Sequence, residues 1–161
     1  MFMNDNTSAK YTSGEERLLQ EHDRLKLPEL VEKMKHNPNY IRMDDTHNDW
    51  DNIKKSKLIE SWIINFPVPP LILYETAYHK YKVVDGRQRI KTIVDYFNNK
   101  FALTGLEVAT QFNGCTYNNL PIKIQRVLDR CNINIINVMS DGNVNTEEMA
   151  KFVEVLAERY K

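Results

Sequence analysis

The segment Pro67-Val68-Pro69-Pro70 constrains this chain more than any other stretch. Prolines at three of these positions remove backbone donors and hold the chain extended, so a helix must end before them and a strand is favoured after. Both flanks agree. Upstream, Leu58, Ile59, Trp62, Ile63 and Phe66 recur at the spacing of a helix lying on a core, with Ser56 placed to cap it. Downstream, LILY and YKVVD are β-prone runs separated by about five residues, 75–79, which predicts a hairpin with a longer loop. Gly86 then breaks the second run, and Ile90, Ile93, Val94 and Phe97 continue at helical spacing. The order is strand, glycine turn, helix.

The rest of the chain supplies further elements of both kinds. Residues 1–13 are polar and without period, a frayed tail ahead of one domain spanning 14–161. A helix is expected over about 15–25, with Ser13 as cap and Leu18 and Leu19 apolar, and another where Pro28 opens a stripe of Leu27, Leu30, Val31 and Met34. Residues 37–52 read as a polar loop. FALTG and NGCTY suggest short strands of a β-ribbon, and Pro121 announces a helix with Ile124, Val127, Leu128 and Cys131 on one face. INIINVM is a strand, buried on both faces. Asn145 and Glu148 resemble a capping box before a last helix carrying Met149, Phe152, Val153 and Leu156. That helix meets no stop signal before Lys161, as in a chain that continues or docks another subunit.

With 161 residues the chain can bury one core but not two. Twenty-two basic side chains balance twenty-two acidic ones, so no global positive field holds a nucleic-acid backbone and any phosphate site must be local. Cys115 and Cys131 fit neither a zinc site nor a disulfide framework. Without a run of about 18 apolar residues or a signal-peptide layout at the start, the expectation is a cytoplasmic protein with no membrane partner.

The chemistry concentrates in VVDGRQRIKTI, residues 83–93. The first turn of a helix carries unpaired N–H groups and the positive end of the macrodipole. Arg87 and Arg89 put cations where the dipole already disfavours them, and an external phosphate would resolve the conflict because guanidinium binds phosphate in a fork. The competing account needs no ligand: Asp85 caps the helix and pairs with Arg89, while Arg87 and Gln88 point into water.

Asp85-Gly86-Arg87-Gln88-Arg89, followed by Thr92, resembles the Asp-Gly-Gln-Gln-Arg signature of the N-terminal domain of GmrSD-type, modification-dependent restriction endonucleases, a branch of the ParB-like and sulfiredoxin-like fold. LPELVEK, KKSKLIESWIINFPVPPLILYE, YKVVDGRQRIKTIVDYFNNKFALTG, FNGCTYNNLP and INIINVM are similar to that family in the same order, over about 25–139. The resemblance implies a single α+β domain, a small mixed sheet with packed helices. It also implies a nucleoside-triphosphate or nucleic-acid phosphate site coupled to triphosphate hydrolysis or DNA cleavage, with Mg²⁺ or Mn²⁺. Carried onto this chain, Asp85, Gln88 and Arg89 would be catalytic, and Asp85 would hold the metal or orient its water. Gly86, Arg87, Gln88, Arg89 and Thr92 would bind phosphate. DNA and a separate nuclease domain or subunit would be partners; the alternative is a noncatalytic nucleotide-sensing, DNA-binding or partner-binding module. Arg87 stands where the signature has its first glutamine, and Asp45-Thr46-His47-Asn48-Asp49 stands where the family generally has a Gln-Arg pair before the tryptophan matching Trp50.

Other chemistry-bearing residues read more plainly. Asp44, Asp45, His47, Asp49 and Asp51 lack the spacing of a calcium loop and make a solvated acidic loop. Lys54, Lys55 and Lys57 begin a solvated helix face. Trp50 and Trp62 belong to the core or its rim, and His22, His36 and His79 have no visible catalytic partner.

Overall fold

A computed structural model describes residues 18–43, 49–140 and 146–160. In these residues five strands, β1 (Leu18–Lys26), β2 (Ile41–Arg42), β3 (Leu71–Ala77), β4 (Lys80–Asp85) and β5 (Asn132–Ser140), form one mixed sheet in the order β1-β5-β3-β4-β2. Pairings β1–β5 and β3–β4 are antiparallel, while β3–β5 and β2–β4 are parallel. Among the described residues five α-helices accompany the sheet: α1 (Leu27–His36), α2 (Asn52–Ile63), α3 (Arg87–Phe97), α4 (Ile122–Arg130) and α5 (Thr146–Arg159). The chain is thus an α+β domain.

Alternation along the strands divides the sheet into two faces. Leu71, Leu73, Ile133 and Ile135 join the main core with Leu27 and Leu30 of α1, Ile59 and Trp62 of α2, Ile90, Ile93 and Tyr96 of α3, and Leu128 of α4. Ile72 and Val138 alternate with these residues and are buried outside that cluster, as are Met149 and Val153 of α5, which packs against β4. The helical stripes at 27–31, 58–62 and 90–97 therefore do what their spacing predicts. Phe66 does not: α2 ends at Ile63, and Phe66 is 56 % exposed beyond it.

The expected helix over 15–25 is a strand wherever it is described. β1 pairs with β5 from Leu18↔Ser140 to Lys26↔Asn132. Only Leu18, Leu19 and Leu25 are large and apolar in this stretch, too few for a helical stripe, and its charged, exposed side chains suit an edge strand. The pairing to β5 satisfies its backbone and overrides local propensity. Ser13 and the tail at 1–13 lie outside the described residues.

Three smaller expectations also change. The β3–β4 connection is two residues, Tyr78 and His79, because β3 runs on to Ala77 through a register shift and His79 takes φ +58°. FALTG and NGCTY form no strands. One rung links them, Leu103 N–H donating to the Cys115 carbonyl and Gly114 N–H to that of Leu103, while α2 side chains accept from three further N–H groups of the segment. Ser56 Oγ accepts from Thr104 N–H at 3.0 Å, and buried Glu60 accepts from Val108 N–H and Ala109 N–H at 3.1 and 2.8 Å. Ser56 is therefore inside α2, and Asp51 is its cap, accepting from Lys54 N–H at 2.8 Å. Within the expected loop 37–52, Ile41 and Arg42 pair with β4 as β2. Asp44, Asp45, His47 and Asn145 lie outside the described residues, so the Asn145–Glu148 box does too.

Candidate anion site at the strand–turn–helix junction

β4 ends at Asp85, and Gly86 turns the chain into α3 with φ +117° and ψ 11°. Glycine is required twice over. That φ is rarely open to other residues, and a Cβ at Gly86 would sit 2.3 Å from Leu71 Cδ2. Gly86 is also the N-cap of α3, with no side-chain cap, so Asp85 does not cap the helix. Its carboxylate accepts from Arg89 instead: Arg89 Nη2 donates to Asp85 Oδ2 at 3.1 Å and to the Pro70 carbonyl at 2.8 Å. The Arg89 side chain is only 11 % exposed, and its Nε is buried without a hydrogen-bond partner.

The next residues tie this turn to the segment before α2. Gln88 Oε1 accepts from Trp50 N–H at 3.1 Å, and buried Thr92 donates its hydroxyl to the Gln88 carbonyl at 2.7 Å. That bond runs within α3, one helical turn along. Arg87 Nη1 donates to Asp49 Oδ1 at 3.1 Å, and Lys91 Nζ donates to Asp49 Oδ2. Hydrogen bonds from Lys91 and then Arg87 lower the Asp49 carboxyl to about 2. Asp49 is consequently ion-paired and Asp51 is a cap, so neither belongs to a merely solvated acidic loop.

A cavity of about 560 Å³ opens over the turn. Asp85, Gly86, Arg87, Gln88 and Arg89 line one side, with Trp50 at its edge. The opposite wall belongs to α5 and includes Val153, Glu154 and Glu158. The structure thus gathers every residue of the 85–89 motif at one concavity, with Thr92 one helical turn along α3. Asp85 supplies the motif's carboxylate, and among the described residues no three His, Cys, Asp or Glu side chains are grouped to hold a metal ion.

Three participants escaped the sequence argument. Lys91 was legible in principle, one helical turn beyond Arg87 on the same stripe. Asp49 and Glu154 were not, because their positions depend on contacts across the fold.

Fold and site together define an α+β domain whose arginine-bearing strand–glycine–helix turn faces a cavity. In a comparison with family models, residues 46–159 match the N-terminal domain of the GmrSD restriction endonuclease, and the chain belongs to that family. Neither a search of curated proteins nor one of solved structures found a match. Among the described residues no helix is long and apolar enough to cross a membrane.

Proposed function

We propose that the cavity over the 86–89 turn binds the phosphates of a nucleoside triphosphate, as part of a defence nuclease or NTPase acting on DNA. The observation that carries this reading is the coincidence, at one concavity, of Arg87, Gln88 and Arg89 with a helix N-terminus that has no side-chain cap. Unpaired N–H groups and the macrodipole favour an anion there. Arg89 Nε lacks an acceptor, a deficit of about 1 to 3 kcal/mol that a ligand oxygen reaching it would relieve.

Arg87, Gln88 and Arg89 then hold the phosphates. Asp85 keeps Oδ1 outside its ion pair with Arg89 and can orient an attacking water. Mg²⁺ commonly binds through one or two carboxylates together with substrate phosphates, so a single carboxylate is a compatible donor when a triphosphate brings the rest. Asp85 would be the protein ligand, and Mg²⁺ or Mn²⁺ would neutralise phosphate charge. DNA and a separate nuclease domain or subunit are the partners of this reading.

One observation favours a noncatalytic nucleotide sensor or partner-binding module: Asp85 Oδ2 is already committed to Arg89. Calorimetry with the four ribonucleoside triphosphates, with and without Mg²⁺, combined with turnover assays on triphosphates and DNA, separates the two. Arg89→Ala should weaken binding by about 1.5 to 3 kcal/mol, the range for a charge-assisted hydrogen bond. In an enzyme, Asp85→Asn should cut turnover by about a hundredfold or more while binding survives. Binding without turnover in the wild type selects the sensor, and absence of triphosphate binding refutes both the triphosphate-binding enzyme and the sensor.

A further inference from the structure

Arg87 and Lys91 lie one turn apart on α3 and converge on a single carboxylate, Asp49, each donating to a different oxygen. That carboxylate comes from 38 and 42 residues upstream. It is held near the turn because the neighbouring Trp50 N–H is fixed on Gln88 Oε1. Two oxygens of one anion, engaged by a guanidinium and an ammonium, reproduce the way a phosphate would be gripped. Asp49 is also reachable, 41 % exposed, and Arg87 lines the cavity while it makes this contact.

We propose that Lys91 is a further phosphate-binding residue and that Asp49 is a tethered anion holding the Arg87–Lys91 pair until the phosphate of an incoming ligand displaces it. The inference rests on the triphosphate reading above and adds to it a residue and a competition. Displacement is favourable on general grounds. A half-exposed carboxylate pair contributes little to stability, whereas a terminal phosphate carries more charge and three acceptor oxygens. The two cations would pass from an intramolecular anion to the ligand without being left unpaired. Affinity in the wild type is then the difference between two interactions with the same cations, and removing the internal one should strengthen the external one.

The test is calorimetry of the wild type, Asp49→Asn, Lys91→Gln and the double variant, with each ribonucleoside triphosphate and with inorganic tripolyphosphate as the base-free probe. Circular dichroism first establishes that each variant is folded. Asp49→Asn keeps the side-chain size and removes the charge, so it should bind triphosphate about tenfold more tightly, the low end for freeing a charge-assisted hydrogen bond. Lys91→Gln should bind more weakly than the wild type, and the double variant should lose most of the gain. A merely structural ion pair predicts equal or weaker binding in Asp49→Asn. That result, with the wild type still binding, overturns the competition and leaves the triphosphate reading intact. No binding in the wild type or in Asp49→Asn would refute the triphosphate reading, and this inference with it.

Discussion

Replacing Gly86 with alanine tests how the site is built, because two independent effects meet at one added methyl group. The backbone there has φ +117°, and holding a side-chain-bearing residue in so sparsely populated a conformation costs about 1 to 3 kcal/mol. The new Cβ would also lie 2.3 Å from Leu71 Cδ2 and 3.3 Å from Arg89 Nη2. Leu71 is fully buried and belongs to the main core, so it has nowhere to retreat without moving its neighbours. Overpacking of that kind costs a further 1 to 3 kcal/mol or so. The sum is about 4 kcal/mol, which lowers the midpoint of thermal unfolding by about 8 to 16 °C for a chain of this size. Gly114→Ala is the internal control: φ is +89° but nothing lies within 4 Å of the added atom, so only the conformational part applies. Urea unfolding followed by far-ultraviolet circular dichroism should place Gly86→Ala about 1 to 3 kcal/mol below Gly114→Ala. Equal destabilisation of the two would refute the claim that β3 presses on this turn.

Glu60→Ala leaves the buried N–H of Ala109 and the partly buried N–H of Val108 without their acceptor and should destabilise the fold by about 1 to 3 kcal/mol in urea unfolding. Glu60→Gln retains a carbonyl acceptor and should recover more than half of that loss. Asp51→Ala removes the cap of α2 and should cost about 1 kcal/mol by the same measurement. Burial and the neighbouring Asp129 push Tyr117 up to about 12, and burial raises Tyr96 too. Both favour the protonated phenol in the folded state, so their stabilisation is complete below pH 10 and declines above it, that of Tyr117 being lost as pH rises through about 12. The 295 nm absorbance of the folded protein should therefore lag that of the urea-unfolded chain over this interval, and superimposable curves would refute the burial of these rings.

What the sequence determined by itself is what neighbouring residues impose on one another. Three prolines keep the chain extended from the end of α2 into β3, and a glycine between a β-prone run and a helical stripe specifies the β4–α3 turn. The helical stripes of α1, α2 and α3 pick out buried residues because amphipathic period is a local record of which face meets the core. The 85–89 motif was legible for the same reason, as was the tension of two arginines at a helix start. Tertiary structure decided what resolves that tension. The Asp85–Arg89 pair, four residues apart, was itself legible, but not that Asp49, far upstream, takes Arg87 and Lys91. It also decided that 18–26 is a strand, since only pairing with β5 distinguishes it from a polar helix. In the same way, 101–116 stays irregular because Ser56 and Glu60 supply hydrogen bonds that a partner strand would otherwise supply. The far wall of the cavity comes from α5, whose own sequence carries no sign of the turn it faces. Local period and turn chemistry act over a few residues, whereas these contacts join groups roughly 40 or more positions apart, and nothing in the intervening spacing encodes them.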